Sequence, residues 1–230
     1  MTRHSTKLQS VVARLERYYG HQSQPPSADP FELFLWEQVA YLVDDERRAE
    51  AFNLLRKRVG LTPEKVLAAS EKTLLEITKV GGAIAAQARA RRLRDAAMQV
   101  LTEFDGDMRN VLQEPYRKAK KALTQFPGIG EPGAEKILLF THTFPVMALE
   151  SNGLRALVRL GYAPEQKNYS ATYRAIRDVL QKELKEDCSW LIRAHQLLRR
   201  HGQELCKRSR PLCRLCPLTD LCDYFRSTIQ

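Results

Sequence analysis

The 230-residue chain has no apolar run near the ~20 residues that a membrane-spanning helix needs. Met1-Thr2-Arg3-His4-Ser5 leads into an amphipathic segment rather than the apolar run of a secretory signal, so export is not expected. Cysteine is scarce, five in all, and four of the five crowd between positions 206 and 222. With no sign of export, that distribution speaks against a disulfide framework. Aromatic residues make up only 8%. No stretch alternates polar and apolar residues as a half-buried strand does, and no repeat has a fixed period. What is present is 43% hydrophobic and 28% charged, enough apolar surface for a packed core, which excludes a disordered or fibrous chain. The 37 basic residues exceed the 27 acidic ones and leave a formal charge of +10. That surplus points to a polyanionic partner, nucleic acid ahead of an anionic membrane surface.

The patterns are helical throughout and predict an all-α fold of many short helices. Residues 3–19 form an amphipathic segment closed by Gly20, and 21–28 read as a connector. Asp29-Pro30-Phe31-Glu32 supplies a complete helix start, with Asp at the N-cap, Pro at N1 and Glu at N3. That pattern runs through Phe34, Leu35 and Val39 and breaks near Asp44-Asp45. A further helix places Ala51, Leu54, Leu55 and Val59 on one face and stops at Gly60. Thr62 and Ser70 open two short helices, Gly81-Gly82 breaks the chain, and Leu93, Ala97, Val100, Leu101 and Phe104 then recur at helical spacing.

Two motifs carry chemistry. Cys206, Cys213, Cys216 and Cys222 are spaced C-x6-C-x2-C-x5-C. Four thiolates this close favour zinc or an iron–sulfur cluster. A single C-x-x-C flanked by lone cysteines leans towards the cluster, because structural zinc sites more often pair two short elements. Cys188 stands apart in a helical pattern and reads as core. Arg199, Arg200, Lys207, Arg208, Arg210 and Arg214 surround a loop that a bound metal would hold rigid, ready to meet phosphates. The second motif, Phe126-Pro127-Gly128-Ile129-Gly130, lies between a basic helix (Arg117, Lys118, Lys120, Lys121) and a helix running towards Phe140. Its glycines allow a tight turn that leaves amides uncovered at a helix N-terminus, a site for a phosphate, while Ile129 packs between the two helices.

With these motifs in place, the chain resembles the endonuclease III and adenine-glycosylase branch of the helix-hairpin-helix DNA glycosylases, from Pro30-Phe31-Glu32-Leu33 to Cys222. The cysteine spacing is that family's 4Fe-4S pattern, and Pro127, Gly128, Ile129 and Gly130 look like its hairpin. Pro145-Val146 and Glu150-Ser151-Asn152-Gly153-Leu154-Arg155 look like the segment that carries its catalytic carboxylate. The resemblance implies two helical lobes with a DNA cleft between them. The first is a helical barrel-like domain over 30–135 ending in the helix-hairpin-helix. The second is an iron–sulfur cluster domain made of 1–29 and 136–230. It further implies double-stranded DNA with a damaged, mismatched or abasic site as partner, no membrane, a monomer, and a cytoplasmic protein of bacterial or archaeal type associated with the nucleoid.

The departures from that family shape the expected chemistry. Where bifunctional members carry a nucleophilic lysine, two residues after the second hairpin glycine, this chain has Pro132. Lys136 is the nearby amine that could replace it. The carboxylate position holds Glu150 instead of aspartate, with Ser151 or Asn152 available to cap the next helix. The segment that fills the gap left by an extruded base reads Val39-Ala40-Tyr41-Leu42-Val43, so Leu42 is either an apolar wedge or core. His142 and Thr143 lie near the pocket-lining segments. The expectation is a monofunctional, hydrolytic DNA glycosylase with Glu150 as its carboxylate. The alternatives are a catalytically silent protein of the same family that binds damaged DNA, and a zinc-containing RNA-binding module.

Overall fold

The computed structural model describes residues 6–184 and 187–228, and these form helices and turns with no strand among them. The all-α expectation holds. Contacts divide the chain into two compact units, residues 25–144 and residues 1–24 with 145–230.

In the 25–144 unit, α2 (Pro30–Val39) starts as its sequence dictates, the Asp29 carboxylate accepting from the amides of Phe31 at 2.9 Å and Glu32 at 3.1 Å. It ends at Val39, several residues before Asp44-Asp45, because Ala40 is extended and Leu42 adopts a left-handed backbone with φ 52°. Then follow α3 (Asp45–Arg58), α4 (Pro63–Ala68) and α5 (Glu71–Val80), each opened by an Asp, Thr or Ser N-cap, and α6 (Ala86–Glu103). After a short 3-10 turn over Met108–Gln113 come α7 (Tyr116–Leu123) and α8 (Glu131–Phe140), the two helices that flank the hairpin. The core closes on aromatics: Phe126, at the start of the hairpin, stacks on Phe104 with centroids 5.7 Å apart and meets Phe34 of α2 at 6.0 Å.

In the other unit, α1 (Lys7–Tyr19) begins on a capping box between Thr6 and Gln9 and ends at Gly20, φ 71°. Residues 3–5 of the expected helix lie outside the described residues. Leu8, Val11, Val12 and Leu15 are buried where α1 packs on α11 (Cys188–Glu204). That helix in turn packs against α9 (Ser151–Arg159), which also meets α10 (Tyr169–Glu183) and the terminal α12 (Asp223–Thr228). Gly153 and Gly202 permit the close approach of α9 and α11. A Cβ on Gly153 would lie 3.4 Å from Leu198 Cβ, and one on Gly202 would lie 2.4 Å from the Asn152 carbonyl oxygen. Cys188, expected in the core, is half-buried in the first turn of α11. No described helix is long and apolar enough to cross a membrane.

Candidate functional site

The hairpin folds as its glycines require. Gly128 takes φ 82°, Gly130 serves as the N-cap of α8, and the Ile129 amide donates to Phe126 O at 3.1 Å. Ile129 is 7% exposed, buried as expected. The turn is braced from α2, where the buried Gln38 donates through Nε2 to Gly128 O at 3.2 Å. Below it, the fully buried Glu135 carboxylate of α8 accepts from Lys120 Nζ at 2.6 Å and from Tyr116 OH at 2.7 Å. Lys120 also pairs with Glu131 at 2.5 Å, so a cation sits against the acidic residue that opens α8. Pro132 falls in the first turn of α8, where its missing N–H costs nothing. Lys136 is held by Glu37 at 2.6 Å.

Leu42 is 73% exposed, which rules out the core reading of that residue, and the neighbouring Tyr41 is 51% exposed. His142 is exposed with a left-handed backbone, φ 56°, and Thr143 is half-buried with its hydroxyl 2.8 Å from that of Thr141.

Glu150 is itself the N-cap of α9, a role expected of Ser151 or Asn152. Its Oε1 accepts from Gly153 N at 2.7 Å and its Oε2 from Asn152 Nδ2 at 2.9 Å. Each oxygen keeps a further lone pair for a ligand. The chain of hydrogen bonds continues, because Asn152 Oδ1 accepts from Arg155 Nη2 at 2.8 Å. Arg155 also donates to the carbonyls of Cys206 at 2.8 Å and Gly202 at 2.7 Å. The carboxylate is thus wired through two side chains to the first cysteine of the cluster motif. Asn152 and Arg155 were legible only as members of the Glu150–Arg155 motif, and nothing in their residue types marks the link to Cys206. Tyr169 is a further neighbour without a sequence signal. Although Tyr169 is 44% exposed, desolvation of its phenol first, and then the charge of Glu150, push it up to about 12.

Cys206, Cys213, Cys216 and Cys222 line one small chamber of about 20 Å³, with Leu160, Leu205, Leu218 and Phe225 in its wall. None of the four forms a disulfide, and burial pushes the Cys216 thiol up to about 11. Among the described residues no three His, Cys, Asp or Glu side chains converge as ligands of a single ion. Around the chamber, Arg159 Nη1 donates to Cys206 Sγ at 3.4 Å and Leu218 N to Cys216 Sγ at 3.4 Å, while His201 Nε2 lies 3.7 Å from Cys216 Sγ. Burial holds His201 down to about 4, so its imidazole is neutral near pH 7. Arg159 also ties down the basic loop, donating to Lys207 O at 2.7 Å and Arg208 O at 3.2 Å, with its guanidinium 4.7 Å from the Tyr224 ring centroid. Lys207, Arg208 and Arg210 are exposed on that loop, Arg210 with φ 54°.

No protein-family model matches the chain. Endonuclease III of Rickettsia conorii is 27% identical over 192 residues, covering 81% of this chain and 82% of the relative. A trapped covalent endonuclease III–DNA complex superposes with a TM-score of 0.76 at 19% identity, covering 98% of this chain and all of that one. A thermostable thymine-DNA glycosylase does so with 0.73 at 16% identity, covering 96% and 97%. The chain is thus similar in sequence to endonuclease III and shares the all-helical fold of these DNA glycosylase structures. In this chain α7 and α8 are the two helices joined by the Phe126–Gly130 turn.

Proposed function

We propose that the protein is a monofunctional DNA N-glycosylase of base-excision repair, in which Glu150 is the catalytic carboxylate. The observation that carries this reading is the fixation of Glu150 by two N–H donors at the head of α9, which leaves an oriented carboxylate with free lone pairs. As the base leaves, positive charge develops on the sugar. A carboxylate held in place stabilises it and orients the attacking water without reorganising. With Pro132 in the lysine position, the reaction is hydrolytic and forms no Schiff base. The amides of Gly128 and Gly130 grip backbone phosphate, aided by the dipole of α8, and Lys207, Arg208 and Arg210 add cations. Leu42 fills the stack vacated by the extruded base. The protein acts as a monomer on double-stranded DNA with a damaged, mismatched or abasic site. Its relatives include a protein solved on DNA.

Cys206, Cys213, Cys216 and Cys222 hold a 4Fe-4S cluster in this proposal. Their all-thiol donor set around one chamber fits it, as does the motif spacing. When bound, such a group braces the loop and contributes folding free energy. Arg155 and Arg159 orient the Cys206 segment and the basic loop whether or not the group takes any part in chemistry.

One observation favours a second reading, a silent binder of damaged DNA, because the Glu150 carboxylate already serves as a helix cap. A panel of duplexes with single damaged or mismatched bases, run on protein of verified iron content, separates the two. Base release that vanishes in Glu150→Gln while affinity survives supports the enzyme. Binding without release across the panel supports the binder. Colourless protein containing zinc and preferring RNA would overturn both.

A further inference from the structure

Arg89 in α6 is 2% exposed, and no carboxylate among the described residues pairs with it. Its guanidinium is surrounded by carbonyl oxygens instead. Nε donates to Ile84 O at 3.2 Å, Nη1 to Val39 O at 2.6 Å, and Nη2 to Thr78 O at 2.8 Å and to Gly82 O. Two of these acceptors lie at the C-terminal ends of helices, Val39 of α2 and Thr78 of α5, where carbonyls lack intrahelical partners and the dipole favours a cation. The other two belong to the Gly81–Ala85 loop. An apolar side chain would fill the space with less desolvation, but it would leave four carbonyls without donors. A lysine could not fan out to all four.

The two segments joined in this way carry the two most exposed large apolar side chains described in the unit. Leu42 is 73% exposed and Ile84 55% exposed. Tyr41 N donates to Gly81 O at 3.0 Å, which ties the segments directly. Each contains a non-glycine residue in the left-handed region, Leu42 at φ 52° and Ala85 at φ 50°, a conformation that persists only where the surroundings impose it. The same last turn of α2 also braces the hairpin through Gln38.

We propose that Arg89 is a positioning residue for duplex distortion: it bolts the Val39–Leu42 segment to the Gly81–Ala85 loop, so that Leu42 and Ile84 enter the base stack as one paired wedge. This rests on the reading of Leu42 as a wedge. Ile84, absent from the sequence expectations, becomes its second half.

The test uses a duplex with a stable abasic-site analogue and a neighbouring 2-aminopurine, whose fluorescence rises when it unstacks. Affinity for an undamaged duplex and thermal unfolding are measured alongside. Arg89→Met is expected to lower the unstacking equilibrium on the order of tenfold, the scale of a modest misplacement. Affinity for undamaged duplex stays within roughly twofold, because phosphate contacts elsewhere supply it. Arg89→Lys falls between the variant and wild type. Gly81→Ala tests the same joint with Arg89 intact, since its Cβ would lie 2.1 Å from Val39 O and force the segments apart. Its unstacking is expected to fall like that of Arg89→Met. Should Arg89→Met fail to melt cooperatively, Arg89→Lys and Gly81→Ala decide the matter. Wild-type unstacking in folded Arg89 variants, with loss in Leu42→Gly, overturns the role of Arg89 alone. Wild-type unstacking in Leu42→Gly as well overturns the wedge reading beneath it.

Discussion

Replacing Gly202 with alanine tests whether the placement of Glu150 depends on the packing of α9 against α11. The added Cβ would sit 2.4 Å from Asn152 O, 2.6 Å from its carbonyl carbon and 2.7 Å from its Cβ, where ordinary contact begins at 3.4 Å. The obstacle is mostly backbone, so no side chain can swing aside. The first turn of α9 must retreat by about 1 Å, taking with it the two donors that fix Glu150. Overpacking of this kind costs ~1–3 kcal/mol, and alanine returns up to ~1 kcal/mol through helix propensity. Taken at the middle of both ranges, the net loss is ~1–2 kcal/mol, a fall in Tm of about 2–8 °C for a chain of this size. A carboxylate misplaced by ~1 Å loses on the order of 100-fold in single-turnover base release. The assays are thermal unfolding, gel-based base release and anisotropy on undamaged duplex. A Gly202→Ala protein that melts and turns over like wild type would mean that the placement of Glu150 does not depend on this packing. A loss of duplex affinity in step with the loss of rate would also refute the reasoning, because that would mean general unfolding.

Arg159→Ala should free the basic loop from its anchor on the Lys207 and Arg208 carbonyls. Limited trypsin digestion should then cut after Lys207 or Arg208 several times faster than in wild type, and an unchanged rate would count against the anchor. Cys213→Ser should abolish stoichiometric iron and loosen the 145–230 region before 25–144, which hydrogen exchange would detect as early deprotection. Uniform exchange would oppose that order. Raising the folded-state pKa of Tyr169 from its ordinary value to about 12 gives stability that is fully present below pH 10 and is lost as pH climbs from 10 towards 12. Tyr169→Phe should flatten that alkaline decline and leave pH 6–9 unaffected. An effect on stability within pH 6–9 would contradict the assignment.

Local signals were readable wherever the physics is local. The start of α2 follows from Asp29, Pro30 and Glu32 because an N-cap and a proline act on neighbouring amides. The hairpin follows from two glycines, one of which takes positive φ. The cysteine spacing brings four thiols to one chamber because the loop between them is short. What stayed hidden depends on distant partners. Leu42 looks like core by residue type, yet the chain leaves α2 at Val39 and turns it outward. Arg89 stands near Arg91, Arg92 and Arg94 with nothing local to single it out, and only the convergence of four carbonyls from α2, α5 and the following loop buries it. Glu150 takes the cap that Ser151 or Asn152 was expected to supply, because α9 begins one residue earlier than the side-chain preferences imply.

Base excision through Glu150 without a lysine-linked intermediate is checked by borohydride trapping on a damaged duplex. Wild-type protein should release the base and leave an alkali-labile abasic site, with no covalent protein–DNA band on a denaturing gel. A strong covalent band with wild-type protein would contradict it and would mean that another amine, such as Lys136, attacks the sugar.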